Sequence, residues 1–285
     1  MPEGDTIFRT ARALGRGLVG HVITGFRSNY ALLTRFHDDT PLTGQQVDRV
    51  ESRGKWILIY FSGGGILVTH MLMSGSWHIY RPGERWLQPG HNMRIVLENS
   101  ICQAVAFRVP LAQMHTASSL ARDHRIPKPT SDVLNSDFDA EAAKMRILAC
   151  ADEEIGNVLL HQNVLAGIGN VFKSEVCFVT GVNPFCKVAD LRSAEIDALI
   201  SASKNLVAAN VLEDSGGTIV TYHGPHRRTA YTSDPTASLW VYGRHDDPCR
   251  RCGDRIRRRV QGPDARVTFW CGQCQPMPDG TEIDG

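Results

Sequence analysis

The most specific chemistry in the 285-residue sequence lies near its C-terminal end, where Cys249-x2-Cys252 and Cys271-x2-Cys274 are separated by eighteen residues. Each C-x2-C pair can bring two thiolates to one metal, and the spacer is long enough for a hairpin that returns the second pair to the first. All four positions are filled by protein, which leaves no place for substrate. This is therefore the spacing of one structural zinc ion, with two chance C-x-x-C pairs or a redox motif as the alternatives. Arg255, Arg257, Arg258, Arg259 and Arg266 lie inside the spacer. A metal-pinned ribbon of this size has no enzyme core of its own. Its arginines suit phosphates or a groove, and a solvated basic surface is the plain alternative. The other cysteines, Cys102, Cys150, Cys177 and Cys186, stand apart, as small buried hydrophobes in a reducing cytosol do.

The opposite end offers a nucleophile. Pro2 follows Met1, and methionine before a small residue is normally removed, which leaves a secondary amine on Pro2. An α-amino group titrates at about 7.7–8.0, against about 10.4 for lysine, so much of it is neutral and nucleophilic at cellular pH. Attack on a sugar C1′ would give an iminium ion, and Glu3 follows directly, suited to protonating the ring oxygen or the leaving group. By itself, Met-Pro-Glu is a common start. In mid-chain, LLHQNVLAGIGNVFKSE (159–175) joins two helical patterns through Gly167-Ile168-Gly169-Asn170. Glycines at a helix start let backbone amides approach a phosphate. Asn170 is a good N-cap whose side chain can also donate to a phosphate oxygen. Taken alone, GxGN is equally an ordinary tight turn.

These residues need elements to position them. Ile7, Ala11, Leu14 and Leu18 recur at helical spacing over 5–19. From about 22 to 116 the pattern is one of short strands. WILIYF (56–61) and ILVTHM (66–71) flank a Gly-Gly-Gly turn, and NMRIVLE (92–98) pairs with CQAVAFRV (102–109). One helix followed by strands in series predicts a β-sandwich or barrel. IPKPTSDVLNSDFD (126–139) lacks periodicity and reads as a linker. Helical patterns then cover roughly 139–150, 153–162, 170–179 and 190–212, with Gly181 and Pro184 as a helix stop and 214–236 as loop. The predicted organisation is an N-terminal β-sandwich with flanking helices (1–125), a linker (126–138), a helical domain (139–245), a zinc-ribbon hairpin (246–275) and a tail (276–285). The fold class is α+β multidomain.

Composition excludes wholesale disorder: 42% of residues are hydrophobic and 21% charged. The net charge of +1 conceals blocks of +6 over 1–130, −7 over 131–248 and +5 over 249–275, before three acidic residues in the tail. A basic footprint is what a polyanion partner needs, though most charge runs are solvated faces. No export signal precedes the first helix and no apolar run approaches the ~18 residues of a membrane span. A cytoplasmic, monomeric protein is expected, since nothing resembles a coiled coil.

In combination these residues carry a resemblance. PEG at 2–4, RGK at 53–55, GIGN at 167–170 and the cysteine quartet with RVTFWC (266–271), in this order and spacing, resemble the formamidopyrimidine-DNA glycosylase/endonuclease VIII family. The resemblance spans about residues 2–275. It implies a base-excision-repair glycosylase with apurinic/apyrimidinic lyase activity, acting on damaged DNA in the bacterial cytosol. The implied fold is a β-sandwich, a helix–two-turn–helix domain and a zinc ribbon, with DNA running across the cleft between them. Matched residue by residue, Pro2 is the iminium-forming nucleophile and Glu3 the general acid. Lys55 contacts a phosphate beside the lesion and assists catalysis. Asn170 and Arg266 clamp phosphates at the extruded nucleotide, Arg266 counting with the catalytic set. Met73 is the wedge that fills the gap, Arg108 a looser second member, and Gly169, Lys173, Arg258 and Arg259 complete the DNA-binding set. A base inside a duplex must be extruded before C1′ can be attacked, at a cost that bending and phosphate clamping offset.

The sequence departs from the family in places. PEGDT puts Asp5 and Thr6 where many members have PELPE or PEGPE, so the second glutamate of that pattern is absent. His161 occupies a position where the family often has an acidic residue, and no consequence is attached to it. The PEG start leans towards the endonuclease VIII branch, which implies oxidised pyrimidines ahead of 8-oxoguanine. YHGPHRRTAY (222–231) falls where a lesion-contacting loop belongs, or is mere loop, and His223-x2-His226 is too weak a pattern for a metal site. The competing readings are formamidopyrimidine-type specificity, a non-catalytic damage-binding homologue, and a zinc-ribbon scaffold without a DNA role, which leaves Pro2, Glu3 and Lys55 unexplained.

Overall fold

The structure, a computed structural model, describes residues 2–212, 219–222, 234 and 236–283. The chain forms two compact units, residues 1–127 and 128–285. Among the described residues no helix is long and apolar enough to cross a membrane.

In the first unit the order is α1 (Gly4–Leu18), β1 (Gly25–Ser28), α2 (Ala31–Asp39), β2 (Val47–Arg53), β3 (Trp56–Phe61), β4 (Ile66–His70), β5 (Ser76–Tyr80), β6 (Met93–Glu98), β7 (Gln103–Phe107), β8 (Leu111–His115) and α3 (Ala117–Arg122). The strands make two antiparallel sheets, β2-β3-β4-β8 and β1-β6-β7-β5. Ile57, Ile59, Phe61 and Leu67 of one sheet and Ile95, Leu97, Ala104 and Ala106 of the other meet in a single core. The apolar stripe of α1 (Ile7, Ala11, Leu14, Leu18) closes that core. The continuous apolar run of β3 has a simple cause: alternate residues face opposite ways and both faces are covered. Trp56 and Leu58 pack outward with Ile66, Val68, Leu120 and Ile126.

The all-strand expectation over 22–116 fails at α2. That helix buries only Leu33 and leaves Leu32 largely exposed, so its nine residues show no helical stripe. The short α3 also gave no sequence signal, because its capping box pairs Thr116 with Ser119 rather than with Glu or Gln.

The second unit contains α4 (Ala140–Leu148), α5 (Ile155–Val158), α6 (Asn170–Thr180), α7 (Ser193–Leu212), β9 (Ile256–Gln261) and β10 (Arg266–Cys271). Asp139 caps α4 by accepting from the Ala142 amide at 2.9 Å, and Gly181 ends α6 in the left-handed conformation. The helix expected over 153–162 is shorter. It stops at Val158, and Gln162 takes over by donating to the Leu160 and Ile168 carbonyls at 2.9 Å and accepting from the Gly167 amide at 3.1 Å. Nor are residues 126–138 a free linker: Ser131, Asp132 and Val133 are buried, and Asp132 bridges to Ala166. Helices and hairpin form one unit rather than two, because α6 is buried on almost every side and its contacts include β10.

Candidate active site and metal centre

At the N-terminus of the first unit, Pro2 is half-buried and Glu3 fully buried, and Glu3 is the N-cap residue of α1. Its carbonyl accepts from the Ile7 amide at 3.0 Å, so the first turn of the helix fixes the backbone beside Pro2. Asp5 is buried in the same turn. Burial raises the pKa of its carboxyl, and the Arg9 guanidinium, 2.9 Å away, opposes that shift. The acid that stands in the unusual PEGDT start is thus engaged with its own helix.

Lys55 owes its place to a two-residue hairpin. Arg53 pairs with Trp56, so Gly54 and Lys55 form the turn, and Gly54 adopts the positive φ (+58°) that the first turn position demands. Lys55 is left half-buried at the tip. His70, which the sequence reading missed, pairs across the sheet with Trp56 and meets its ring edge-on at 4.7 Å. Burial and then the Lys55 charge lower its pKa to about 4. Its Nδ1 accepts from the Leu72 amide at 3.0 Å, so the neutral ring carries its proton on Nε2.

That bond helps shape the loop carrying Met73. Leu72 has φ +46°, and Gly75 closes the loop by donating to the Met71 carbonyl at 2.8 Å. A Cβ on Gly75 would lie 2.6 Å from that carbonyl and 3.0 Å from the Val109 backbone. Met73 is 69% exposed, too much for a core residue. Because Ser76 pairs with Phe107, exposed Arg108 emerges at the same sheet end, also at positive φ (+50°). Leu72 and Arg108 are thus two non-glycine residues in the left-handed region at one end of the sheet.

The second unit gathers the cysteine quartet. All four thiol sulfurs lie within 4.8 Å of one another, with Cys249–Cys274 at 3.8 Å and Cys252–Cys271 at 3.5 Å. A tetrahedron with metal–sulfur bonds of about 2.3 Å has edges of about 3.8 Å, so the set fits a metal ion. Amides of Arg251 and Cys274 point at the Cys249 and Cys271 sulfurs at 3.4 and 3.5 Å. Burial and the neighbouring Cys252 push the Cys274 thiol up to about 11, so a metal must displace protons to bind. Trp270 and Cys271 of β10 are buried beside the centre, whereas Arg258, Arg259 and Arg266 are exposed.

Two expectations for α6 need correction. The N-cap is Gly169, not Asn170, which is the first helical residue. The Asn170 side chain donates to the Val267 carbonyl of β10 at 2.7 Å, and its buried Oδ1 has no hydrogen-bond partner. Lys173 is not a DNA contact. It is fully buried, one turn on, and its Nζ donates to Thr268 Oγ1 at 2.5 Å. Thr268 passes the chain to Gln261 at 2.7 Å, and Gln261 donates to the Pro184 carbonyl and to Glu154 at 2.8 Å. Glu175 also escaped the sequence reading. Fully buried, its carboxylate accepts from the Trp240, Val241 and Tyr242 amides at 2.8–3.0 Å and from the Thr221 hydroxyl. The loop 222–231 lies outside the described residues except for Tyr222, as do His223 and His226.

With the geometry in place, the comparisons decide the family. The model for the formamidopyrimidine-DNA glycosylase N-terminal domain matches residues 1–109 and that for its helix–two-turn–helix domain matches 129–222. A Streptomyces coelicolor relative named as an endonuclease 8 is 37% identical over 98% of this chain and 95% of its own. The chain belongs to the formamidopyrimidine-DNA glycosylase/endonuclease VIII family. A Mycolicibacterium smegmatis member named as a DNA-(apurinic or apyrimidinic site) lyase is 32% identical over 96% of this chain and 99% of its own. The fold matches that of Lactococcus lactis formamidopyrimidine-DNA glycosylase bound to DNA with an abasic site. The TM-score is 0.77 at 20% identity, over 96% of this chain and 99% of that one.

Proposed function

We propose that this family member is a bifunctional DNA glycosylase and apurinic/apyrimidinic lyase. It removes oxidised bases, pyrimidines ahead of 8-oxoguanine, and nicks the strand by β- and δ-elimination. The observation that carries this reading is the juxtaposition of a solvent-reaching Pro2 with a fully buried Glu3 at the head of α1. Freed of Met1, the Pro2 nitrogen attacks C1′ of the extruded nucleotide, and the base leaves with the glycosidic electron pair. Glu3 supplies a proton to the leaving base or to the ring oxygen; the proline nitrogen loses its proton, and its lone pair forms the iminium as the C1′–O4′ bond breaks and the sugar ring opens. Loss of a C2′ proton expels the 3′ phosphate, and a second elimination expels the 5′ phosphate.

Lys55 and the Nε2–H of His70 hold a backbone phosphate, one as a charge and one as a neutral donor. Met73 and Arg108 fill the space vacated by the base. In the second unit the remaining Asn170 N–H and the exposed Arg258, Arg259 and Arg266 bind phosphates. A zinc ion on Cys249, Cys252, Cys271 and Cys274 supplies the structural pin of the hairpin that carries those arginines. The name of the mycobacterial relative supports the lyase half, and the endonuclease 8 names support the branch.

Borohydride reduction in the presence of duplex DNA containing an oxidised pyrimidine tests the reading. A covalent protein–DNA adduct at Pro2 is expected. Its absence from zinc-loaded, Met1-processed protein, on both that duplex and one with an abasic site, sinks the enzyme reading and leaves a damage-binding homologue. Adducts forming faster on 8-oxoguanine duplexes overturn the pyrimidine preference.

A further inference from the structure

We propose a second metal site in this protein, on Cys150, Glu153 and His161, for a divalent transition ion of the zinc class. The Cys150 sulfur, a Glu153 carboxylate oxygen and a His161 ring nitrogen all lie within 4.8 Å of one another, with His161 Nε2 and Glu153 Oε2 at 3.4 Å. Cys150 is half-buried, and the other two are exposed, so solvent reaches the cluster. A thiolate, an imidazole and a carboxylate form the donor set of a borderline ion. Magnesium and calcium prefer oxygen ligands alone. Three protein ligands leave one position for water or an exogenous group.

Folding has already fixed the backbone under each ligand. The Cys150 amide bonds the Ile147 carbonyl at 2.9 Å at the end of α4, and the Glu153 amide returns to the Cys150 carbonyl at 3.0 Å. The intervening turn is stapled to the chain at 186–189. Val188 donates to the Glu153 carbonyl at 3.0 Å, Ala189 to that of Ala151 at 2.9 Å, and Ile155 to that of Cys186 at 2.8 Å. His161 donates to the Val158 carbonyl at 3.1 Å and accepts from the Val164 and Leu165 amides at 2.8 and 3.0 Å. Only side-chain rotamers remain to be ordered when an ion binds, which lowers the entropy cost. The next residue after His161 is Gln162, whose side chain closes the Gly167–Ile168 turn, so an ion on His161 ties α4 to the two-turn motif.

The test is a metal titration of the full chain purified with zinc in its cysteine quartet. Saturation with zinc is expected to give two equivalents per chain, and Cys150→Ser and His161→Ala, the latter an exposed position, are each expected to give one. With cobalt as the probe and zinc retention followed in parallel, wild type is expected to develop a near-ultraviolet thiolate charge-transfer band that Cys150→Ser abolishes. Wild type saturating at one equivalent overturns the site. So does a second equivalent that persists in either variant, or a cobalt complex without the band.

Discussion

Two lysines in motifs of one family end in opposite environments. Lys55 sits at the tip of a two-residue turn in the first unit, half-buried beside His70. Lys173, three residues after the GIGN motif, is sealed in the second unit against Thr268. The first unit sets its candidate residues on turns whose backbone is strained or glycine-dependent. The second uses buried polar side chains as clamps, so that the exposed arginines of β9 and β10 ride on a fixed hairpin. A basic residue in a DNA-binding motif is therefore not automatically a DNA contact; its neighbours across the fold decide.

The strongest way to break this comparison is Glu175→Ala. Removing its carboxylate strands three backbone donors, that of Val241 buried and those of Trp240 and Tyr242 half-buried, so a stability loss of about 3 kcal/mol is expected in denaturant unfolding. An unchanged midpoint would mean that the 238–242 segment needs no such anchor. Next comes Thr268→Val, which deletes the Lys173 acceptor and is expected to cost about 1–3 kcal/mol. Lys55→Met sharpens the contrast, because stability should stay within about 0.5 kcal/mol while damaged-DNA affinity falls and the salt slope drops by about 1. A Lys55→Met protein that unfolds more readily than Thr268→Val would reverse the assignment.

A pH dependence tests the first unit in a different way. His70 titrates near 6.5 in an unfolded chain and at about 4 in the folded one, where burial and then Lys55 oppose its charge. The unfolded state takes up the proton first. The stability tied to the neutral ring is therefore complete above pH 6.5 and is lost as pH falls through that value towards 4. Melting curves of wild type should shift downward across that window more than those of His70→Gln. Parallel shifts would show that His70 does not report on the folded first unit.

Much of this architecture was legible in the sequence because its signals are local. The paired apolar runs of β3–β4 and β6–β7 and the apolar stripe of α1 repeat with the period of the element they form. Elements too short to show a period were silent: α2, with one buried residue, and α3, with six residues in all. Among candidate site residues, Lys55 and Met73 sit on turns that Gly54 and Gly75 announce. His70 and Glu175 gave no comparable signal, because a histidine closing a strand and a glutamate on a helix are ordinary by themselves.

What the sequence determined alone was the cysteine quartet, since a C-x2-C pair brings its ligands together through its own turn. It also determined the family, through four short motifs in register. Tertiary structure decided the rest. Lys173 became a clamp because Thr268, 95 residues away, folds onto it, and Asn170 was drawn to Val267 in the same way. Cys150, Glu153 and His161 became neighbours only when the turn after α4 was stapled against 186–189. Burial and partnership are properties of pairs of residues, and the pairs that matter most here are far apart in the chain.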